Sequence, residues 1–278
     1  MDTPLSLDQK ELPSVSSERP TALVTGASSG IGRAICHEAA RDGHDLVVTA
    51  RRGEVLEELA RSLAAATMAK VTVISSDLSD PEGPVRLWDE IERRKLVIDV
   101  LVNNAGIGTG GPLAQTEPER LRTLVALNVA APLALMRLAL PGMIARRRGR
   151  IANVASVSAF QPVPLMAAYG ASKAFVLSLS EAVNEEVQGT GVTVTAVCPG
   201  TTRTSFFSSA GYREPESFTA AARAMNPEDV AAIAWAGTRA GLPLVVPGRA
   251  NRAVATLGRL LPRRMVVRAA MRVMEKRR

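Results

Sequence analysis

Tyr169 and Lys173 stand four residues apart in the stretch Ser156 to Lys173. On a helix that spacing stacks both side chains on one face, setting a cationic ammonium beside a phenol. An unperturbed tyrosine loses its proton near pH ~10, and a nearby opposite charge favours the phenolate. The pair therefore reads as a phenol brought into range for proton transfer near neutrality. Upstream, Ser156 follows the apolar run Arg150 to Ala155, so its hydroxyl would emerge from the end of a buried strand. Tyr-x-x-x-Lys arises often by chance, and its meaning depends on what surrounds it.

The elements that would position it alternate between strand and helix. Thr21 to Thr25 is a short strand-like run that ends in Gly26-Ala-Ser-Ser-Gly30-Ile-Gly32 and a helical pattern from Ile31 to Asp42. Strand, glycine turn and helix make a phosphate-binding arrangement, because glycines permit the tight turn and the first helical N–H groups are unpaired and aimed at an anion. The spacing is Gly-x-x-x-Gly-x-Gly rather than the commoner Gly-x-Gly-x-x-Gly. A glycine-rich turn without a ligand is the alternative. A second strand, Asp45 to Thr49, runs into Ala50-Arg51-Arg52. An acid there would suit a ribose hydroxyl; two arginines suit a 2′-phosphate, which guanidinium groups pair bidentately. NADP(H) is therefore expected over NAD(H), with two solvated helix-start charges as the alternative.

Helix-like sequence from Glu54 to Ala66 leads to a third strand, Val71 to Ser75, then to Asp77 and a helix from about Pro81 to Arg94. The fourth strand, Ile98 to Val102, meets Asn103-Asn104-Ala105-Gly106. A helix over about Pro118 to Arg148 carries Asn128 in an apolar run, where an amide is more often a satisfied core group than a functional one. The remaining strands are Arg150 to Ala155, Val192 to Val197 and Leu242 to Val246. This alternation predicts an α/β fold, a doubly wound parallel sheet of about seven strands with right-handed crossovers. Ligands in such sheets bind beyond the carboxyl ends of the strands, where every motif above lies.

Composition sets the bounds. The 278 residues suit one large α/β domain or two small ones, with a core of aliphatic residues, since aromatics make up 3%. Cys36 and Cys198 offer neither a metal spacing nor a disulfide framework, which fits a reducing, cytoplasmic setting. Met1 to Pro20 lacks the apolar segment of a secretory signal, and no eighteen apolar residues run without a charge, so no membrane-spanning helix is expected. The net charge of +7 belongs to the tail: Arg249 to Arg278 holds ten Arg or Lys and the single acid Glu275.

Thr25-Gly26-x-x-x-Gly30-x-Gly32, Asn103-Asn104-Ala105-Gly106, Asn128, Ser156, Tyr169-x-x-x-Lys173 and Pro199-Gly200 occur in this order, and over roughly Thr21 to Val246 the sequence resembles the short-chain dehydrogenase/reductase family. The resemblance implies catalytic roles for four residues. Tyr169 would be general acid in carbonyl reduction and base in alcohol oxidation, and Lys173 would hold the nicotinamide ribose and lower the tyrosine's pKa. Ser156 would donate to the substrate oxygen, and Asn128 would hold a water in a proton relay. It also implies cofactor contacts from Gly26, Ser28, Ser29, Gly30, Ile31 and Gly32, from Arg51 and Arg52, from Asp77 and Leu78 beside the adenine, from Asn104, Ala105 and Gly106, from Tyr169 and Lys173, and from Pro199, Gly200, Thr202 and Thr204. A homodimer or homotetramer is implied as well.

Two segments depart from this pattern. Phe206 to Phe218 holds four of the nine aromatic residues, including Phe206, Phe207 and Tyr212. It reads either as a lid over an apolar substrate, with Phe206 and Phe207 as substrate contacts, or as a loop anchored to the core. In the tail, Arg264, Arg268, Arg272 and Lys276 recur every four residues, one basic stripe if a helix follows Pro262, while Val266, Ala269, Ala270 and Val273 lie largely away from it. Such a helix can lie on an anionic membrane or pack on its own domain or a partner subunit, and packing is the favoured reading. Nucleic-acid binding is not expected, for the tail has no aromatic side chains to stack on bases. The expected organisation is a flexible leader over residues 1–19, a Rossmann-type domain over 20–247 and a basic helical extension over 248–278. The expected activity is NADP(H)-dependent interconversion of a carbonyl and a secondary alcohol. The rivals are a cofactor-binding sensor or scaffold without turnover and a membrane-surface reductase of lipophilic carbonyls.

Overall fold

The computed structural model describes residues 19–206, 210 and 224–275. Residues 1–18 of the expected leader, Phe207, Tyr212, Phe218 and Lys276 fall outside these residues. Seven strands form one parallel sheet: β1 Thr21–Thr25, β2 Asp45–Thr49, β3 Val71–Val73, β4 Val100–Asn103, β5 Gly149–Val154, β6 Val192–Val197 and β7 Leu244–Val245, in the order β3-β2-β1-β4-β5-β6-β7. The order reverses between β1 and β4, and a crevice opens there beyond the strand ends.

Both faces of the sheet are covered, so its strands read as near-continuous apolar runs. Alternate residues serve opposite layers, as the period of two requires. Ala22, Val24, Leu46 and Val48 pack with α1 (Gly30–Arg41), α2 (Gly53–Ala66) and α7 (Pro227–Arg239). Leu23, Val47, Leu101 and Ile151 pack on the other face with α3 (Gly83–Arg93), α5 (Ala131–Ala145) and α6 (Ala167–Glu186). This is the doubly wound sheet that the alternating pattern predicts.

Some boundaries differ from expectation. β7 is two residues rather than five, in part because Pro243 has no N–H for the ladder. The long helix after β4 is not uniform: α4 (Pro118–Val125) passes through a π turn at Ala126–Ala130 before α5 begins, and Asn128 sits in that turn. Although no membrane-spanning helix is expected from the sequence, Pro118–Ala145 is long and apolar enough by composition, with a window of mean hydropathy 1.8. Here Leu135, Met136, Ala139 and Met143 pack on the sheet as a core helix does. After β7 the tail folds into two helices, α8 (Arg249–Leu260) and, following Pro262, α9 (Arg263–Glu275).

Candidate active site

The glycine loop is shaped by backbone that side chains would not tolerate. Gly26 and Gly30 take φ of +65° and +56°, and a Cβ on Gly26 would come 2.9 Å from the Cα of Ala105. Thr25 ties the loop to the end of β4: its Oγ1 donates to the Val102 carbonyl at 3.2 Å and accepts from the N–H groups of Asn104 and Ala105 at 2.9 and 3.0 Å. Asn104 in turn donates through Nδ2 to the carbonyls of Thr25 and Gly26. Ser29, at the N-cap of α1, makes no capping bond with its side chain, and the first turn of α1 holds no acid. The helix thus presents its N-terminal N–H groups to the crevice.

Beyond β2, exposed Arg51 and Arg52 border the same crevice, and Arg52 Nη2 donates to Ser28 Oγ at 3.4 Å. Asp77 Oδ1 accepts from the Ser79 hydroxyl at 2.6 Å and the Ser79 N–H at 2.9 Å, which holds its carboxyl below the usual range, with Arg51 adding to the effect.

The residues expected from the sequence to handle the proton lie at the other end. Ser156, at the end of β5, accepts from the Ser158 N–H at 3.1 Å. Tyr169, Lys173 and Ser156 are all buried. Lys173 Nζ donates to the Val154 carbonyl at 2.7 Å and sits 5.8 Å from the centre of the Tyr169 ring. The sequence reading that Lys173 acidifies the phenol is not what this arrangement produces. Burial pushes Tyr169 up to about 12, with Ser156 opposing the rise, and burial pulls the Lys173 ammonium down to about 8. Desolvation outweighs attraction because both groups leave water together and the ammonium is aimed at a carbonyl.

Asn128 is held by protein. Its Oδ1 accepts from the Ile107 N–H at 2.9 Å, and its Nδ2 donates to the Ile107 carbonyl at 2.9 Å and to Ser172 Oγ at 3.1 Å. Ser172 donates onward to the Tyr169 carbonyl at 2.7 Å. The π turn therefore braces the chain after β4 against the helix that carries the tyrosine.

One cavity of about 970 Å³ connects these ends. It brings together Gly26, Ser28, Ser29, Gly30, Ile31, Arg51, Arg52, Asp77, Leu78, Asn104, Ala105 and Gly106 with Ser156, Tyr169, Lys173, Pro199, Gly200, Thr202, Thr204 and Phe206. Gly32 and Asn128 are not in its lining. A Cβ on Gly32 would collide with Asn104 and with the Gly26 carbonyl, so this glycine serves close helix packing rather than ligand contact. Phe206 lies against the Tyr169 ring at 5.1 Å between centroids. Sequence reasoning missed the wall opposite, built by α8 and α9; its signal was the apolar spacing of Val266, Ala270 and Val273.

A glycine cradle at an uncapped helix start, two arginines and a buried tyrosine with a lysine in one cleft fit a phosphorylated dinucleotide. Fold and cleft together define a nucleotide-dependent α/β oxidoreductase. The family profile described as short chain dehydrogenase matches residues 20–214, and the chain belongs to that family. It is 39% identical over 183 residues to a short chain dehydrogenase of Pseudocercospora fijiensis, covering 65% of this chain but 59% of that protein's length. It is 36% identical over 217 residues to the 1-deoxy-11-beta-hydroxypentalenate dehydrogenase of Streptomyces exfoliatus, covering 77% of this chain and 78% of the other. A short-chain dehydrogenase from Sphingobium yanoikuyae, solved in complex with NADPH, superposes with a TM-score of 0.78 at 34% identity, covering 86% and 92% of the two chains. Solved proteins of similar fold carry either NADP(H) or NAD.

Proposed function

We propose that this oxidoreductase interconverts a carbonyl compound and a secondary alcohol, with NADP(H) as the preferred cofactor. The observation that carries the reading is the Tyr169 phenol, held protonated beside Ser156 on the cavity that also contains the glycine cradle. When bound, the nicotinamide supplies or accepts the hydride. Gly26, Ser28 to Ile31 and the α1 N-terminus would hold its pyrophosphate, Arg51 and Arg52 the 2′-phosphate, Asp77 and Leu78 the adenine, and Asn104 to Gly106 the adenosine side. Pro199, Gly200, Thr202 and Thr204 would line the nicotinamide side.

As negative charge gathers on the carbonyl oxygen, Ser156 donates a hydrogen bond to it and Tyr169 delivers its phenolic proton. Lys173 stabilises the phenolate left behind and binds the nicotinamide ribose. Both amide hydrogens of Asn128 are engaged, so a relay water would be held by the free acceptor capacity of Oδ1 and by carbonyls of the π turn. We further assign the enzyme to the cytoplasm and to a homodimer or homotetramer; exposed Val125, Leu133 and Phe175 on adjoining helices support the assembly.

Tyr169→Phe tests the reading. Its NADPH affinity is expected to stay within a few-fold of wild type, while turnover of ketones falls by about 10²–10⁴-fold. A variant as active as wild type overturns the assignment.

A further inference from the structure

The C-terminal helices close the catalytic half of the cavity. α8 starts from the turn after β7, where Asn251 Nδ2 donates to the Pro247 carbonyl at 2.6 Å, and it meets the loop after β6, where Asn251 occupies the space a Cβ on Gly200 would need. Arg252 Nε donates to the Val246 carbonyl at 3.1 Å. α9 then lays its apolar face over the tyrosine. Met274 is buried in one cluster with Leu124, Val163, Met166 and Tyr169. Val266, Ala270, Val273 and Met274 share a helical face and all line the cavity.

The exposure of these side chains is itself informative. Val254, Leu257, Leu261 and Val273 are 41%, 51%, 46% and 48% exposed, yet each lines the cavity, so apolar surface faces an open space beside the catalytic groups. Arg264, Arg268 and Arg272 are exposed and stand outside the lining. Among the described residues, the charged lining groups are Arg51, Arg52, Asp77 and Lys173. The first three stand at the adenosine end, and the last is buried at the base. Near Ser156 the charged lining group among the described residues is Lys173, which is already bonded to the Val154 carbonyl, and burying an unpaired charge there is costly.

We infer that the α8–α9 pair is the substrate wall of this enzyme and selects a bulky, uncharged, apolar carbonyl compound of at least medium-chain length. The inference rests on the carbonyl reading above and names the substrate class for it. Apolar surface facing a cleft is worth about fourfold in binding per methylene that it covers. The basic stripe keeps the outer side of α9 in water while its other side meets the substrate.

Initial rates of NADPH consumption by the full chain are measured with 2-butanone, 2-octanone, 2-undecanone and trans-1-decalone. For wild type, kcat/KM is expected to rise about fourfold per methylene from butanone to octanone, and decalone to be used at least as well as octanone. Val273→Asp places a carboxylate at an exposed position of the wall, where it need not disturb folding. It should lower kcat/KM for 2-undecanone at least tenfold more than it lowers kcat/KM for 2-butanone, while NADPH affinity stays within twofold. Ala269→Asp, also exposed and in the lining, should act alike, and Arg268→Glu on the outer side should change nothing. Turnover independent of ketone size, or undiminished chain-length preference in both aspartate variants, overturns the wall and leaves the carbonyl reading standing. NADPH binding with no turnover of any ketone overturns both.

Discussion

Lys173 Nζ gives its 2.7 Å hydrogen bond to the Val154 carbonyl, not to the phenol of Tyr169, whose ring centre lies 5.8 Å away. The ammonium is thereby fixed to the end of β5, the same strand end that presents Ser156. A Cβ on Gly106 would stand in ordinary contact with Nζ at 3.5 Å but would press on Asn128 Oδ1 at 3.1 Å. In the proposed mechanism the lysine would serve as a buried, positioned cation whose field the phenol meets once the proton has left.

A buried ammonium has a measurable cost. Burial pulls the pKa of Lys173 down to about 8 in the folded protein from its ordinary value of 10.5, so between these values the unfolded chain binds more protons and stability rises with pH. Its share of the rise is at most roughly 3 kcal/mol. Above pH 10 the raised phenol of Tyr169 acts in the opposite sense, because the unfolded tyrosine ionises first. Comparing urea midpoints of wild type and Lys173→Met between pH 7.5 and 10 cancels contributions common to both, including the deeply buried thiol of Cys36. Wild type should gain on the variant as pH rises, and parallel curves would show that the ammonium is not desolvated as described.

Asn128 offers a test of bracing as opposed to chemistry. Removing its amide in Asn128→Ala leaves the Ile107 N–H and carbonyl without their partner in a part-buried setting. The expected loss is about 2–4 kcal/mol in unfolding free energy. Asn128→Asp keeps the acceptor for the Ile107 N–H and loses the donor, so it should fall between. If the alanine variant unfolds like wild type by calorimetry, the π turn does not depend on these bonds.

Strand-to-helix alternation, the glycine spacing and the ordered polar motifs carried most of the fold and the part of the cleft lining built at the strand ends, because each reports a local backbone requirement. Two features were hidden for physical reasons. The direction of the Tyr169 shift depends on burial and on where Lys173 points, and a four-residue spacing specifies neither. The π turn at Asn128 is a change of one residue in helical phase, invisible in an apolar run such as Ala-Leu-Asn-Val-Ala. The tail was legible as an amphipathic helix, but the partner of its apolar face was not. That face meets Tyr169 through contacts between residues about a hundred positions apart, such as Met274 and Met166.

Arg51 and Arg52 leave the clearest chemical choice to be measured. Both are exposed at the adenosine end, and Arg52 already reaches Ser28 in the glycine loop, so a 2′-phosphate would meet two guanidinium groups at little cost in rearrangement. Solvent weakens each pair, which places the expected preference for NADPH over NADH at about ten- to a hundredfold in affinity at low salt. The preference should shrink as ionic strength rises from about 0.05 to 0.5 M, because screening acts on the extra phosphate charge. In the double variant Arg51→Ala, Arg52→Ala, NADPH should weaken to the level of NADH, with NADH affinity itself nearly unchanged. Fluorescence titration of both cofactors checks all three statements. Equal affinities in wild type would remove the 2′-phosphate from this end of the cleft.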